Sequence, residues 1–294
     1  APGTRDAGIT FDPDVRDEIL PLLKALVARG VLVGEDRYAV PAELAHRAML
    51  SAATAGSLGR MAVIVRDLRP ARTAPDKGIE TWELAVRELR IELYAKRWDA
   101  VRALVRALPR HVFHEVCRPF DRDWVAALPA DLRSHALAGI VETATNYLRP
   151  VDEAFAMLEA EREITDSEHR ILVEQLVFRG RLHDAEGQLA GRRSVEADAG
   201  RALLALLRGR TVEAIAAYEA ALGVVRKLSG KRAAIFPDRF GLFFVVALIA
   251  EGSVASLTRA AALCEAAQAS HPLARSYAML DELLDVIAGR ANED

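Results

Sequence analysis

Apolar residues at Val15, Ile19, Leu22, Leu23, Leu26 and Val27 fall at helical spacing behind Asp12-Pro13, an N-cap residue followed by a first-turn proline. The pattern predicts a helix that stops at Arg29-Gly30. Two β-prone triplets follow, Val31-Leu32-Val33 and Tyr38-Ala39-Val40, around the polar Gly34-Glu35-Asp36-Arg37, and they predict a short hairpin. Pro41-Ala42-Glu43 then opens another helix through Leu44, Ala48 and Met49. Residues 51–58 are small and flexible in composition, 61–68 read as a short apolar helix, and 69–78, with Pro70, Pro75 and Gly78, read as a loop. From Glu80 onward every strong segment has the helical period. The chain therefore divides into a flexible start (1–12), a first unit (13–54), a short helix and linker (55–79) and a helical domain (80–294).

Composition supports packed helices. The 294 residues are 51% hydrophobic and 28% charged, which excludes wholesale disorder, collagen-like order and a disulfide scaffold. A net charge of −3 gives no global footprint for nucleic acid or anionic lipid, so any such binding is local. The longest apolar run, residues 240–250, is too short to span a bilayer, which takes roughly 18 residues or more, and predicts a buried helix. Cys117 and Cys264 lie far apart and read as reduced thiols of a cytoplasmic protein. The opening Ala1-Pro2-Gly3-Thr4-Arg5-Asp6 has neither the basic nor the apolar stretch of a signal peptide and reads as the edge of a piece of a longer chain.

The order helix, Arg29-Gly30-Val31-Leu32-Val33, charged turn, Tyr38-Ala39-Val40-Pro41, helix resembles the last part of a winged-helix unit. That resemblance implies a recognition helix and wing for DNA. Asp14, Asp17 and Glu18 crowd the N-terminal end of the helix that would meet the phosphates, so a packing or protein-contact role suits the residues better. Arg60, Arg66, Arg69 and Arg72 form a basic cluster, a candidate nucleic-acid or docking patch, without the interleaved aromatics that stack on bases.

In the helical domain, Leu207-Arg208-Gly209-Arg210-Thr211-Val212-Glu213-Ala214-Ile215, followed by Tyr218 and Ala221-Leu222, resembles the turn and second helix of a tetratricopeptide repeat. Residues 196–208 supply the first helix, with small Ala202 where its partner approaches. The turn recurs as Phe178-Arg179-Gly180-Arg181-Leu182-His183-Asp184-Ala185, and more loosely as Tyr147-Leu148-Arg149-Pro150-Val151-Asp152-Glu153-Ala154 and Tyr94-Ala95-Lys96-Arg97-Trp98-Asp99-Ala100. In each an acid precedes an alanine expected to pack between helices. The spacings of those alanines, 54, 31 and 29 residues, are irregular. The expectation is an all-α solenoid of helical hairpins, with a compact irregular bundle as the alternative. Such a solenoid binds other chains along its inner groove, where the register places Arg170 and Glu174 as candidate partner contacts; their bland reading is an ordinary i,i+4 surface pair. The Lys and Asn of a carboxylate-gripping repeat are replaced by Arg170, Glu174, Ala199 and Leu203.

Catalytic motifs are missing. His111, His114 and Cys117 share a helix end with metal-like spacing but lack a fourth ligand. Ser229-Gly230-Lys231 lacks the leading glycine of a phosphate loop, since position 225 is Val, and position 232 is Arg. No cofactor and no metal are expected. Tyr218 to Leu222, the basic stretch Arg226 to Arg232, Ile235-Phe236-Pro237 and the helix from Gly241 to Leu248 resemble the helical region ahead of the motor in large bacterial Swi/Snf-type helicases. A similar helical-repeat region lies behind the ATPase of bacterial signalling regulators of the maltose-activator type. Either resemblance implies a non-enzymatic accessory region whose partner is a protein or a downstream motor of the same chain, with nucleic acid as the alternative partner and no membrane.

Overall fold

The computed structural model describes residues 21, 24–33, 40–68, 78–108, 112–117, 119–146, 151–231, 234–236, 239–268 and 274–289. Among the described residues the chain is all-α, with fifteen helices and no strand. The expected hairpin falls largely on residues 34–39, outside the described residues; before it, Val31 and Leu32 form a bend and Val33 is a lone bridge residue. The chain falls into two compact units, Ala1–Glu163 and Ile164–Asp294. This division lies inside the stretch 80–294 read from the sequence as one helical domain.

The first unit contains α1 (Ala42–Thr54), α2 (Leu58–Leu68), α3 (Gly78–Tyr94), α4 (Trp98–Ala107), α5 (Val112–Val116), α6 (Arg122–Ala126), α7 (Ala130–Asn146) and α8 (Asp152–Ala160). Helix α3 packs against α1, α2, α4 and α5, and α7 packs against α5, α6 and α8. The stretch 51–58, small and flexible by composition, ends α1 and turns through residues 55–57 into α2. Ala52 and Ala53 pack on the cluster of Leu58, Ala62, Ile91 and Tyr94, because small side chains let α1 and α2 approach closely.

The second unit contains α9 (Asp166–Phe178), α10 (Leu182–Leu189), α11 (Val195–Leu207), α12 (Thr211–Ser229), α13 (Phe240–Glu251), α14 (Val254–Gln268) and α15 (Ala274–Ile287). Each helix packs on the next from α9 to α15, and the alternate helices also touch in order, α9 on α11, α11 on α13 and α13 on α15. Its core centres on Tyr218, stacked on Phe244 with ring centroids 5.3 Å apart and edge-on to Phe236 at 6.0 Å. Gly241 is required beside it, since a methyl group there would collide with the buried Tyr277 hydroxyl.

One connection recurs in both units. Residues 55–57, 95–97, 179–181 and 208–210 join their helices with the middle residue, Gly56, Lys96, Gly180 or Gly209, at positive φ. In each, the middle N–H donates to the carbonyl three residues back and the following N–H to the carbonyl five back, as in Gly209 to Leu206 and Arg210 to Ala205. This pair of bonds satisfies carbonyls that the helix end leaves open. Five residues after Lys96, Gly180 and Gly209 lie Val101, Ala185 and Ala214, all fully buried, whereas Met61 in the same place after Gly56 is exposed. The alanine expected at Ala100 is therefore corrected by one residue: it is only half-buried, because Lys96 takes the glycine's place and Val101 faces the core. The acid before each alanine also acquires a reason. Arg181 and Arg210 occupy N-cap positions and pair with Asp184 at 2.6 Å and Glu213 at 3.0 Å, which bring negative charge into the first turn of α10 and α12.

Candidate functional site

Helix α9 carries both residues predicted to face a partner. Its N-terminus is closed by a capping box, with Thr165 N–H donating to Glu168 Oε2 at 2.8 Å and Glu168 N–H to Thr165 Oγ1 at 3.3 Å. From Glu168 to Leu176 every residue is buried. Arg170 and Glu174 are thus not groove contacts but interior groups, 7% and 0% exposed. Arg170 Nη1 donates to Glu174 Oε1 at 2.7 Å, and Arg239 Nη1 donates to Glu174 Oε2 at 2.9 Å. The Arg239 guanidinium also lies over the Phe178 ring, 5.9 Å from its centroid. The surface reading fails because α9 is covered on every face from Glu168 to Leu176, and only its ends, at Asp166 and Phe178, reach solvent. A buried carboxylate then needs cationic partners, and the pair with Arg239 ties α9 to the start of α13.

Of the basic cluster, Arg60 is exposed on α2 and Arg66 lies on α2 with its side chain outside the described residues; Arg69 and Arg72 are also outside them. His111 is outside the described residues as well, as is the His114 side chain. Cys117 is buried, and burial pushes its thiol up to about 12. Among the described residues no three His, Cys, Asp or Glu side chains are placed to hold a metal.

The structure assembles one constellation that sequence reasoning missed. Asp121, the N-cap of α6, accepts from Trp124 N–H at 2.9 Å and from His46 Nε2 at 3.0 Å. His46 Nδ1 in turn bonds the Tyr94 hydroxyl. A carboxylate only accepts, so in the neutral ring Nε2 carries the proton and Tyr94 donates to Nδ1. The Tyr94 ring stacks on Trp124 at 4.8 Å, and His46 meets both rings edge-on. The N-cap bond first, and His46 after it, hold the Asp121 carboxyl below its ordinary 3.8. Burial pushes the Tyr94 phenol up to about 12, against a smaller opposite pull from Arg90. Tyr94 is 5% exposed and held as a neutral donor, which makes it a poor nucleophile or base. The relay fastens α1, α3 and α6 together. Its members lie 48 and 75 residues apart, so no local spacing announces them.

Among the described residues several clefts open in the second unit, one of about 350 Å³ between Arg226, Ile235, Arg259 and Leu263 and two others that bear on function. The first of these two, of about 310 Å³, is lined by Arg201, Arg208, Arg210, Glu186 and Glu213, with Leu189 and Leu204 beneath. Each guanidinium there is already held by a carboxylate, Arg201 by Asp198, Arg208 by Glu186 and Arg210 by Glu213. The second, of about 380 Å³, is apolar, lined by Val195, Ala199, Val225, Leu228, Phe236 and Phe240, with Glu196 and Ser229 at its wall. Comparison with family models, curated proteins and solved structures finds no match to this chain. Among the described residues no single helix is long and apolar enough to cross a membrane.

Proposed function

We propose that this chain is a non-enzymatic helical-repeat module that acts by contact with a protein, either an external partner or a motor domain of the same longer polypeptide. The observation that carries this reading is the recurrent three-residue connection at 55–57, 95–97, 179–181 and 208–210, joined in the second unit to the ordered packing of α9, α11, α13 and α15. Repeated hairpins that share their apolar faces with the next hairpin build a scaffold stiff enough to present a surface without reorganising. The recurrence supports a tetratricopeptide-like solenoid, and the resemblance of the 218–248 stretch to helicase accessory regions supports a place beside an ATP-dependent motor. The polar groups that converge in these two clusters bind helix to helix: buried Glu174 between Arg170 and the half-buried Arg239, and buried Tyr94 with the half-buried His46 and Asp121.

The test pairs peptide selection with DNA binding. The purified chain is expected to enrich specific sequences from a displayed random-peptide library, and to bind labelled duplex DNA no better than a neutral helical protein at low salt. Salt-dependent DNA binding with no peptide enrichment would overturn the proposal and favour nucleic-acid recognition through residues 13–72.

A further inference from the structure

Helix α12 has 19 residues against the 13 of its partner α11. The three-residue connection turns the chain back, so the first thirteen positions of α12 match α11 and residues 224–229 overhang it. Under that overhang lie Phe236 and Phe240, both buried, and the start of α11 with Val195 and Ala199. The result is the apolar cleft of about 380 Å³. It lies near the small end of the range for ligand pockets, which is room for one or two large side chains. Its lip is apolar too: Leu228 is 78% exposed. A leucine kept in water beside an apolar cleft marks a contact surface better than a solvated helix face.

Charge then selects the occupant. Among the described residues Glu196 is the one charged residue that lines the cleft, half-buried on its wall, and no cation pairs with it. The basic residues of the last turn, Arg226 and Lys227, do not line the cleft. Arg226 is turned away, its Nε donating to Ala234 O at 3.2 Å. A carboxylate on an apolar wall is satisfied by a ligand that brings its own cation.

We propose that this cleft is the anchor site of the module, taking a bulky apolar side chain of a partner peptide while Glu196 pairs with a Lys or Arg next to that anchor. The inference rests on the contact reading above and names its site and ligand chemistry. Leu228 closes over the anchor from the overhang of α12, and Glu196 discriminates against acidic neighbours by repulsion across a surface that water leaves on binding.

Fluorescence polarisation on the full chain tests it with three labelled peptides of one polar background, carrying two leucines followed by arginine, two leucines followed by glutamate, or two serines followed by arginine. The leucine–arginine peptide is expected to bind tightest. Leu228→Asp, at a position exposed enough to leave the melting transition unchanged, should weaken it by about tenfold or more. Glu196→Lys should erase or reverse the preference for arginine over glutamate. Val212→Asp, on the exposed start of α12 and away from the cleft, should change neither. Equal affinity in Leu228→Asp and parent, or an arginine preference that survives Glu196→Lys, overturns the anchor site while leaving the contact function standing. No binding by any of the three overturns the anchor site as well, and the contact function falls with it only if library selection on the parent chain also enriches nothing.

Discussion

His169 stands beside Arg170 on α9, 2% exposed, with Gln188 as its hydrogen-bond partner. Burial, and after it the nearby Arg192, hold its pKa below the ordinary 6.5. The unfolded chain therefore takes up this proton first as the pH falls. Stability contributed by the neutral ring is complete above 6.5 and is lost as the pH drops from there toward the folded pKa. His169→Gln keeps a polar side chain that does not titrate. Its melting temperature is expected to fall less than the parent's between about pH 7.5 and about pH 5.5, the window in which histidine changes charge. Equal pH dependence of the melting temperature in the two proteins across that window would show that His169 takes up its proton as readily in the fold as in the unfolded chain. The same helix shows why Arg170 and Glu174 were misread. The i,i+4 spacing of an ion pair is identical on a surface and in an interior, and only the count of neighbours around the helix distinguishes the two.

The recurrent connection sets the energetics of the helical elements. Lys96 is the one non-glycine residue described at positive φ, at 55°, where Gly180 and Gly209 occupy the same place in their own turns at 71° and 75°. A side chain in that region crowds the following carbonyl, whereas glycine has no Cβ to do so. Lys96→Gly should therefore stabilise the protein, by about 0.5–1 kcal/mol after the larger chain entropy of glycine is set against the relieved strain. Gly209→Ala should do the reverse and cost about 1 kcal/mol, even though a methyl group there meets no atom within 4 Å. Opposite signs in denaturant midpoints would identify the two turns as one structural unit, and a loss of stability on Lys96→Gly would break that equivalence. The turn glycines, the acid at the third helical position and the buried Ala185 and Ala214 were all legible in the sequence, because they interact within five residues of one another. The misplaced Ala100 has a plain cause: with no glycine to count from, the register began one residue early.

At the scale of the molecule, the two units each enclose their own side-chain clusters, and in each a polar cluster, Glu174 with Arg170 and Arg239 or Tyr94 with His46 and Asp121, holds helices together. Cys117, once grouped with His111 and His114 as a metal set, is buried with its thiol pushed up to about 12, which disfavours the thiolate a zinc ion requires. Ser229-Gly230-Lys231 ends α12 with Gly230 as a left-handed cap, and the Ser229 hydroxyl accepts from Lys231 N–H at 3.3 Å in a local turn. The purified chain is expected to carry far less than one zinc per molecule by elemental analysis and to show no ATP turnover that survives repurification. Stoichiometric zinc, or turnover that tracks the protein through a second column, would contradict the non-enzymatic reading.

The hydrophobic period, the turn residues and the alanines at close helix approaches determine by themselves that the described residues are all-α and where helices meet at the turns around Gly180 and Gly209. Those preferences are local, acting through backbone geometry and side-chain volume over one or two turns. Which polar residues end up inside was decided only by the tertiary structure. Glu174 meets Arg239 across 65 residues, and His46 meets Asp121 across 75. Pairings of that kind depend on which helix faces are covered, and coverage is a property of the packed neighbours, not of the helix itself. The apolar cleft has the same origin: its lining comes from α11, α12 and the segment leading into α13, and it exists because α12 outruns its partner in space.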